Sequence, residues 1–263
     1  MSPAAETPAA HGVLVIPAAG LGSRLKTTTP KLLVPVNGRP MLDRLLQLYR
    51  PVVDRVVVVV HPSFADVVRS HVRAIAAPVD LEVQQTPTGM LDAILLARRI
   101  VEQSDAGRVW ITWCDQVGIH PETVRRLGAL SSAHPAAPLI LPTIRRRHPY
   151  THLERDASAR IVGVLHRREG DAMPEVGESE IGLFSLSRAA YLVRLPEFAA
   201  QSEIGAATGE RNFLPFIPWI AAHGDVVTFP CVDEEESIGV NTPEELQVIE
   251  SHLTAREGRS GGS

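Results

Sequence analysis

Short apolar runs alternate with stretches of helical period through the first half of the chain. Residues 13–17 are apolar and of strand length. Residues 40–49 place Met41, Leu42, Leu45, Leu46 and Leu48 on one stripe, the period of an amphipathic helix. In 55–60 five valines follow an arginine, the pattern of a strand buried on both faces. A helix is predicted over 62–75, with Pro62 at a position where a missing N–H costs nothing. Then come a strand over 81–85, a helix over 89–101, a strand over 109–114 and a helix over 121–130. Repeated β-α units of this kind predict a parallel sheet covered by helices on both faces, with right-handed crossovers.

The second half is less regular. Strands are predicted over 139–143, 160–165, 181–186 and 226–230, and helices over 189–200, 213–223 and 243–253. No linker-like composition, repeat or low-complexity block interrupts 13–256. One domain is therefore expected, with a nucleotide-binding half over 13–135 and a substrate half over 136–256, between disordered tails at 1–12 and 257–263.

Composition narrows the function. Of 263 residues, 44% are hydrophobic and 21% charged, enough for a sizeable core. A net charge of -4 gives no support to nucleic-acid or membrane-surface binding. Cys114 and Cys231 have no CxxC spacing and read as buried reduced thiols, neither a disulfide framework nor a zinc site. No apolar run has membrane-spanning length, and the first residues lack the basic and apolar regions of a signal peptide. A cytoplasmic setting is the expectation.

The strongest chemical signal is 16–31, IPAAGLGSRLKTTTPK. A buried strand runs directly into Ala18, Ala19, Gly20 and Gly22. Small residues let the backbone approach a ligand, and glycine turns its amides inward at no steric cost. Arg24 adds a forked, permanent cation, and Lys31, after Pro30, a compact one. Leu25 stands where a G-x-G-x-x-G fingerprint needs glycine, and no GK[ST] occurs, so the loop is neither a dinucleotide fingerprint nor a P-loop. A second signal is Asp115, directly after a buried strand, where open α/β sheets place ligands.

The pattern Gly20-x-Gly22-Ser23-Arg24, with Pro30-Lys31 and then Val34-Pro35-Val36-x-Gly38-Arg39-Pro40-Met41, resembles the sugar-phosphate nucleotidyltransferases. These include the pyrophosphorylase domain of N-acetylglucosamine-1-phosphate uridylyltransferase and glucose-1-phosphate thymidylyltransferase. The likeness fades gradually toward Leu246. It implies a Rossmann-like, GT-A-type three-layer α/β/α sandwich with a mixed, mostly parallel central sheet. It also implies an enzyme that joins an NTP to a sugar-1-phosphate or similar phosphorylated small molecule and releases pyrophosphate.

Residue roles follow from the same resemblance. Arg24 and Lys31 are implied as catalytic cations. Gln84, Thr88 and Gly89, in VQQTPTG, fall on the base-reading segment, and an amide that donates and accepts suits a base edge. Asp115, in WCDQ, and Asn241, in IGVNTPE, fall on the ligands of a Mg²⁺ ion, with Mn²⁺ as a substitute. One carboxylate with a neutral oxygen, phosphate and water is a magnesium-type set. His166 and Arg167 stand where the family usually has Glu-Lys, and Glu180 and Gly182 where some members have Asn-Thr-Gly. They are substrate-pocket candidates, and the departures argue against N-acetylglucosamine phosphate.

Other features carry less. Arg145, Arg146 and Arg147 read as a solvated charge run on a loop. His148 and His152 are four apart with Pro149 between them, which disfavours a helical zinc pair. Residues 233–236 read as an exposed acidic turn. Thr242 and Pro243 read as a helix start. No hexapeptide repeats follow Leu253, so the acetyltransferase half of bifunctional members is expected to be absent. Within enzymes the alternative is a cytidylyltransferase for a phosphorylated alcohol or a molybdenum-cofactor nucleotidyltransferase, for which Cys114-Asp115-Gln116 has some flavour. A non-catalytic nucleotide-sugar-binding regulator is the third reading. Arg24, Lys31 and Asp115 together argue against it. The nucleotide, the acceptor and the oligomeric state are not legible.

Overall fold

The computed structural model describes residues 12–20, 25 and 29–260, with side chains to residue 258. Four strands form the parallel part of the central sheet: β1 (Gly12–Ala18), β4 (Arg55–Val60), β5 (Val79–Val83) and β6 (Arg108–Thr112), in spatial order β5-β4-β1-β6. Two short strands, β2 (Pro35–Val36) and β3 (Arg39–Pro40), make a separate hairpin. Beyond β6 the sheet turns antiparallel through β11 (Leu183–Ser187) and β7 (Leu139–Arg147). β7 pairs on its far side with parallel β12 (Val226–Pro230), and its distal half pairs with antiparallel β10 (Val176–Glu180). A hairpin of β8 (Thr151–Arg155) and β9 (Ile161–His166) completes the strands.

The alternation of strand side chains explains why three layers form. In β1 and β4, Leu14, Ile16, Val56, Val58 and Val60 belong to one core, and Val13, Val15, Val57 and Val59 to another. Successive residues point to opposite faces, so strands flanked by neighbours on both edges must be apolar at every position. The first core is covered by α1 (Met41–Tyr49), α2 (Ala65–Ala74), α5 (Pro121–Ala133) and α8 (Pro243–Ser260). The second is covered by α3 (Met90–Leu95), α4 (Arg98–Glu102), α6 (Leu195–Gln201) and α7 (Phe216–Ala221). The mixed, mostly parallel sandwich of the sequence reading is thus the observed architecture.

Several elements depart from expectation for identifiable reasons. The helix expected over 89–101 breaks between α3 and α4. At the break the buried Tyr191 hydroxyl donates to the Ile94 carbonyl at 2.6 Å, an acceptor shared with the Ala97 N–H of a tighter turn. The helix expected over 189–200 starts as a wide turn at Ala190–Arg194, just before Pro196, which has no N–H to donate. α8 runs to Ser260, well past residue 253.

Strands β8 and β10 were not expected. Their sequences, THLER and VGESE, hold little apolar signal. Arg155 grips Glu178 with two donors, each at 2.7 Å, and so ties β8 to β10. The charge run 145–147 is not a loop: it is the distal end of β7, in register with 176–178. Arg145 and Arg147 are exposed there, whereas Arg146 is half-buried and donates to Ser237 Oγ at 2.6 Å. The acidic stretch is likewise no exposed turn. Glu236 is fully buried and accepts from the backbone of Val232, Asp233 and His120.

Candidate active site

Strand register decides which loops meet. Ala18 pairs with Val60, and Val60 with Val83, so the chain leaves these three strands at one edge of the sheet. β6 runs parallel beside β1, with Val15 opposite Ile111, and leaves at the same edge. Ala19, Gly20, Gln84 and Asp115 therefore follow adjacent strands at the carboxyl edge, where open α/β sheets bind ligands. A recess of about 640 Å³ lined by Gly12, Asp54, Arg55, Asp80 and Ser104 lies at the opposite edge and contains none of the predicted site residues.

At the carboxyl edge three distant segments converge. The Lys31 ammonium is ion-paired with Asp115 Oδ2 and donates to Asn241 Oδ1 at 2.8 Å. The side chains of Lys31 and Asp115 are each 13% exposed, so water screens them only partly. Val240 N–H donates to the Asp115 carbonyl at 3.1 Å, which splices the segment before α8 onto the end of β6. Gly239 leaves close quarters in between: a Cβ there would lie 3.2 Å from the carboxylate of Asp115 and from Asn241 Nδ2, and those side chains would have to shift by a few tenths of an ångström. Asn241 is further held by its own Nδ2, which donates to Gly239 O.

Glu245 completes the holding of Asn241 and was missed from sequence. Its carboxylate accepts from the backbone of Asn241 at 2.8 Å and of Thr242 at 2.9 Å, while Thr242 Oγ1 accepts from Glu245 N–H. This is a capping box, and the T-x-x-E spacing of 242–245 carried the signal. Thr242 and Pro243 start α8 as expected.

Gln84, Thr88 and Gly89 also come together. Gln84 is buried, and its Nε2 donates to the Gly89 carbonyl at 3.0 Å and faces Thr88 Oγ1 at 3.5 Å. Gly89 adopts φ +124°, and a Cβ there would stand 2.4 Å from the Arg211 amide nitrogen. The backbone of Arg211 bonds to Thr88 O and Leu91 N–H on either side of it. The glycine is thus demanded by chain packing. By contrast, a Cβ on Gly20 meets nothing within 4 Å among the described residues. Gly22 and Arg24, predicted for the same loop, lie outside the described residues.

Glu180 and Gly182 sit at the break between β10 and β11, against the segment that carries Asp115. Gly182 has φ +73°, its carbonyl accepts from Trp113 N–H at 3.1 Å, and a Cβ would strike the Trp113 ring. Glu180 is buried, with one oxygen accepting from Thr151 Oγ1 at 3.1 Å and the other from Gly182 N–H. Burial, helped by the Asp115 charge and opposed by those two hydrogen bonds, raises its pKa to about 7. The Cys114 thiol is pushed up to about 12 by burial and the neighbouring Asp115, so it stays neutral and is no nucleophile.

His166 and Arg167 stand one strand away. His166 pairs across the hairpin with Thr151, whose hydroxyl reaches Glu180. Its Nδ1 lies 3.0 Å from Asn212 Nδ2, and its ring packs edge-on against Tyr150. Burial lowers its pKa, so the neutral ring is favoured. The Arg167 guanidinium donates to the Pro149 carbonyl at 3.0 Å, an engagement within the protein.

Gly20, Gln84 and the Lys31–Asp115 pair thus lie on one edge of the α/β sandwich. The chain belongs to the MobA-like NTP transferase domain family, whose profile matches residues 14–178. It is 31% identical over 254 residues to the bifunctional protein GlmU of Acidiphilium cryptum, covering 94% of this chain and 54% of that protein. Against the GlmU of Pseudomonas putida it is 29% identical over 248 residues, covering 94% and 52%. The chain thus spans about half the length of these relatives. In structure it is similar to CMP:2-keto-3-deoxy-manno-octonic acid synthetase complexed with CTP, with TM-score 0.66, 17% identity, and coverage of 94% of this chain and 99% of that one. It is also similar to HddC from Yersinia pseudotuberculosis, with TM-score 0.63, 18% identity, and coverage of 92% and 99%. At these identities the structural likeness shows a common fold. No helix among the described residues is long and apolar enough to cross a membrane.

Proposed function

We propose that this nucleotidyltransferase condenses an NTP with a sugar-1-phosphate, or a similar phosphorylated small molecule, to give a nucleoside-diphosphate derivative and pyrophosphate. The convergence of Lys31, Asp115 and Asn241 carries this reading. An acceptor phosphate is already ionised at neutral pH and needs no general base to attack the α-phosphorus. What the reaction needs is alignment of the two phosphates and neutralisation of their charge.

The residues present fit a Mg²⁺ ion. Asp115 Oδ2 and Asn241 Oδ1 already bracket one cation, the Lys31 ammonium, and supply one charged and one neutral oxygen. A dication held there would supply the charge that draws the two phosphates together. Mn²⁺ takes the same donors. Lys31 neutralises phosphate oxygens at the reacting centre, and Arg24 those of the departing pyrophosphate. Ala18, Ala19, Gly20 and Gly22 offer backbone to the phosphates, and the Gln84–Thr88–Gly89 cluster shapes the base pocket. Glu180 and Gly182 form the acceptor wall, with His166 and Arg167 behind it. The internal hydrogen bonds of Glu180 favour a positioning role over direct contact with a sugar.

A second reading is a cytidylyltransferase for a phosphorylated alcohol or a molybdenum-cofactor nucleotidyltransferase, and the MobA-like description of the family leans toward the latter. Pyrophosphate release with each of four NTPs against sugar-1-phosphates, choline phosphate, methylerythritol phosphate and molybdopterin, with and without Mg²⁺, separates the two. Turnover confined to sugar phosphates supports the first. Turnover confined to any other acceptor replaces it.

A further inference from the structure

A second cluster of ligand-type side chains lies apart from the Lys31–Asp115–Asn241 trio. Asp233 and Glu235 come from the turn after β12, and His252 from the middle of α8. One ligating atom of each lies within 4.8 Å of the others. The His252 side chain is only 10% exposed, and its Nε2 faces Asp233 Oδ1 at 3.8 Å, too far for a hydrogen bond. Both atoms are buried without a hydrogen-bond partner. The other side of the Asp233 carboxylate is occupied: it caps the turn by accepting from Glu236 N–H. Among the described residues, a buried imidazole nitrogen and a buried carboxylate oxygen thus face one gap with no hydrogen bond to either and only each other, at 3.8 Å, as ionic partners when the histidine is protonated, an arrangement that costs stability unless something fills it.

We infer that Asp233, Glu235 and His252 form a site for a divalent transition metal of the zinc class, distinct from the site at Asp115 and Asn241. An imidazole beside two carboxylates suits such an ion better than magnesium, which takes oxygen ligands. Ligands about 2.0–2.2 Å from zinc stand roughly 3.3–3.6 Å apart, so the trio has only about 1 Å to close. The charge balance favours a dication. Asp233, Glu235 and buried Glu236 are gathered here beside Arg256, which donates to the carbonyls of Gly118 and Ile119 and whose charge also attracts Asp233 and Glu236, and three carboxylates against that guanidinium leave negative charge in excess. Glu236 is spent on three backbone N–H groups and is not a ligand. The ion would cross-link the turn to α8. Asn241 lies on the loop between those two anchors, so the metal would stiffen the segment that presents it.

The test uses the full chain stripped with a chelator and titrated with Zn²⁺ by calorimetry and with Co²⁺ by visible absorption. One equivalent of zinc is expected, with a cobalt spectrum of nitrogen and oxygen ligands. Both signals should persist in Asp115→Asn and weaken at least about tenfold in His252→Gln and Glu235→Gln. The half-exposed Glu235 provides the variant of choice should His252→Gln fail to fold. Four results would each overturn the assignment: absence of zinc-dependent heat, binding unchanged in both variants, loss of binding in Asp115→Asn, or thiolate-to-cobalt charge transfer from Cys114 or Cys231.

Discussion

Lys31 and Asp115, 84 residues apart in the chain, are ion-paired at the carboxyl edge of the sheet. The same ammonium reaches Asn241, 210 residues further along than Lys31. One cation thus joins three segments that are distant in sequence, the geometry on which the proposed reaction centre rests.

Removing a preorganised charge from such a centre typically costs about 3 kcal/mol, roughly a hundredfold in rate. Lys31→Ala and Asp115→Ala are each expected to lower the rate of pyrophosphate release by at least that factor. Melting behaviour should stay close to the parent's, because both side chains retain some contact with water. Near-parental turnover in purified Asp115→Ala would remove the metal role from that residue.

Two glycines with different surroundings separate packing from ligand approach. Gly89→Ala places a Cβ against the Arg211 backbone at a strained φ and should destabilise the fold by at least about 2 kcal/mol in urea titrations. Gly20→Ala meets no atom of the described residues and is expected to leave stability nearly unchanged. If a triphosphate approaches the backbone at Gly20, the same substitution raises the KM for NTP severalfold. An unchanged KM would move the phosphates elsewhere.

Glu180 links stability to pH. Its folded pKa, about 7, lies above the 4.5 of an ordinary glutamate, so between those values the folded protein holds the proton more tightly than the unfolded chain. Stability from this group is therefore full below pH 4.5 and falls as pH rises toward 7, by an amount on the order of 3 kcal/mol. Glu180→Gln keeps the shape and cannot ionise. Its stability relative to the parent should rise between pH 5 and pH 8, as followed by denaturant melts at both. A constant difference would show that the buried carboxyl does not titrate in that window.

Glu236 is buried beneath the loop that leads to Asn241 and satisfies three N–H groups. Glu236→Ala strands those donors, at about 1–3 kcal/mol for each one that water cannot reach. A loss of about 3 kcal/mol or more in stability is expected, together with weaker Mg²⁺ dependence of turnover as Asn241 loses its support. A variant as stable as the parent would mean that water takes over all three donors.

Much of the frame was legible because burial on both faces leaves a plain mark. The valines of 55–60 and the apolar run at 13–17 admit no other place than the middle of a parallel sheet, and the small residues after the first strand mark a close backbone approach. Asp115 stands out in the sequence because a carboxylate directly after a buried strand lies where open α/β sheets place ligands, and the fold pairs it with Lys31. Glu245 was legible too, through its capping spacing, and was overlooked.

Local composition determined the β-α order, the two-sided core and the loop chemistry at the end of the first strand, because each depends on residues within a few positions of one another. Tertiary structure alone decided the rest. β10 pairs in register with the distal half of β7 and is tied to β8 by Glu178 and Arg155, a pairing invisible in VGESE by itself. The predicted helix over 89–101 breaks where a tyrosine nearly a hundred residues away bonds one of its carbonyls. Asp233, Glu235 and His252 share one gap only because α8 folds back along the turn after β12. Charges and hydrogen bonds between distant segments leave no periodic trace in a chain, and such contacts set what this site can hold.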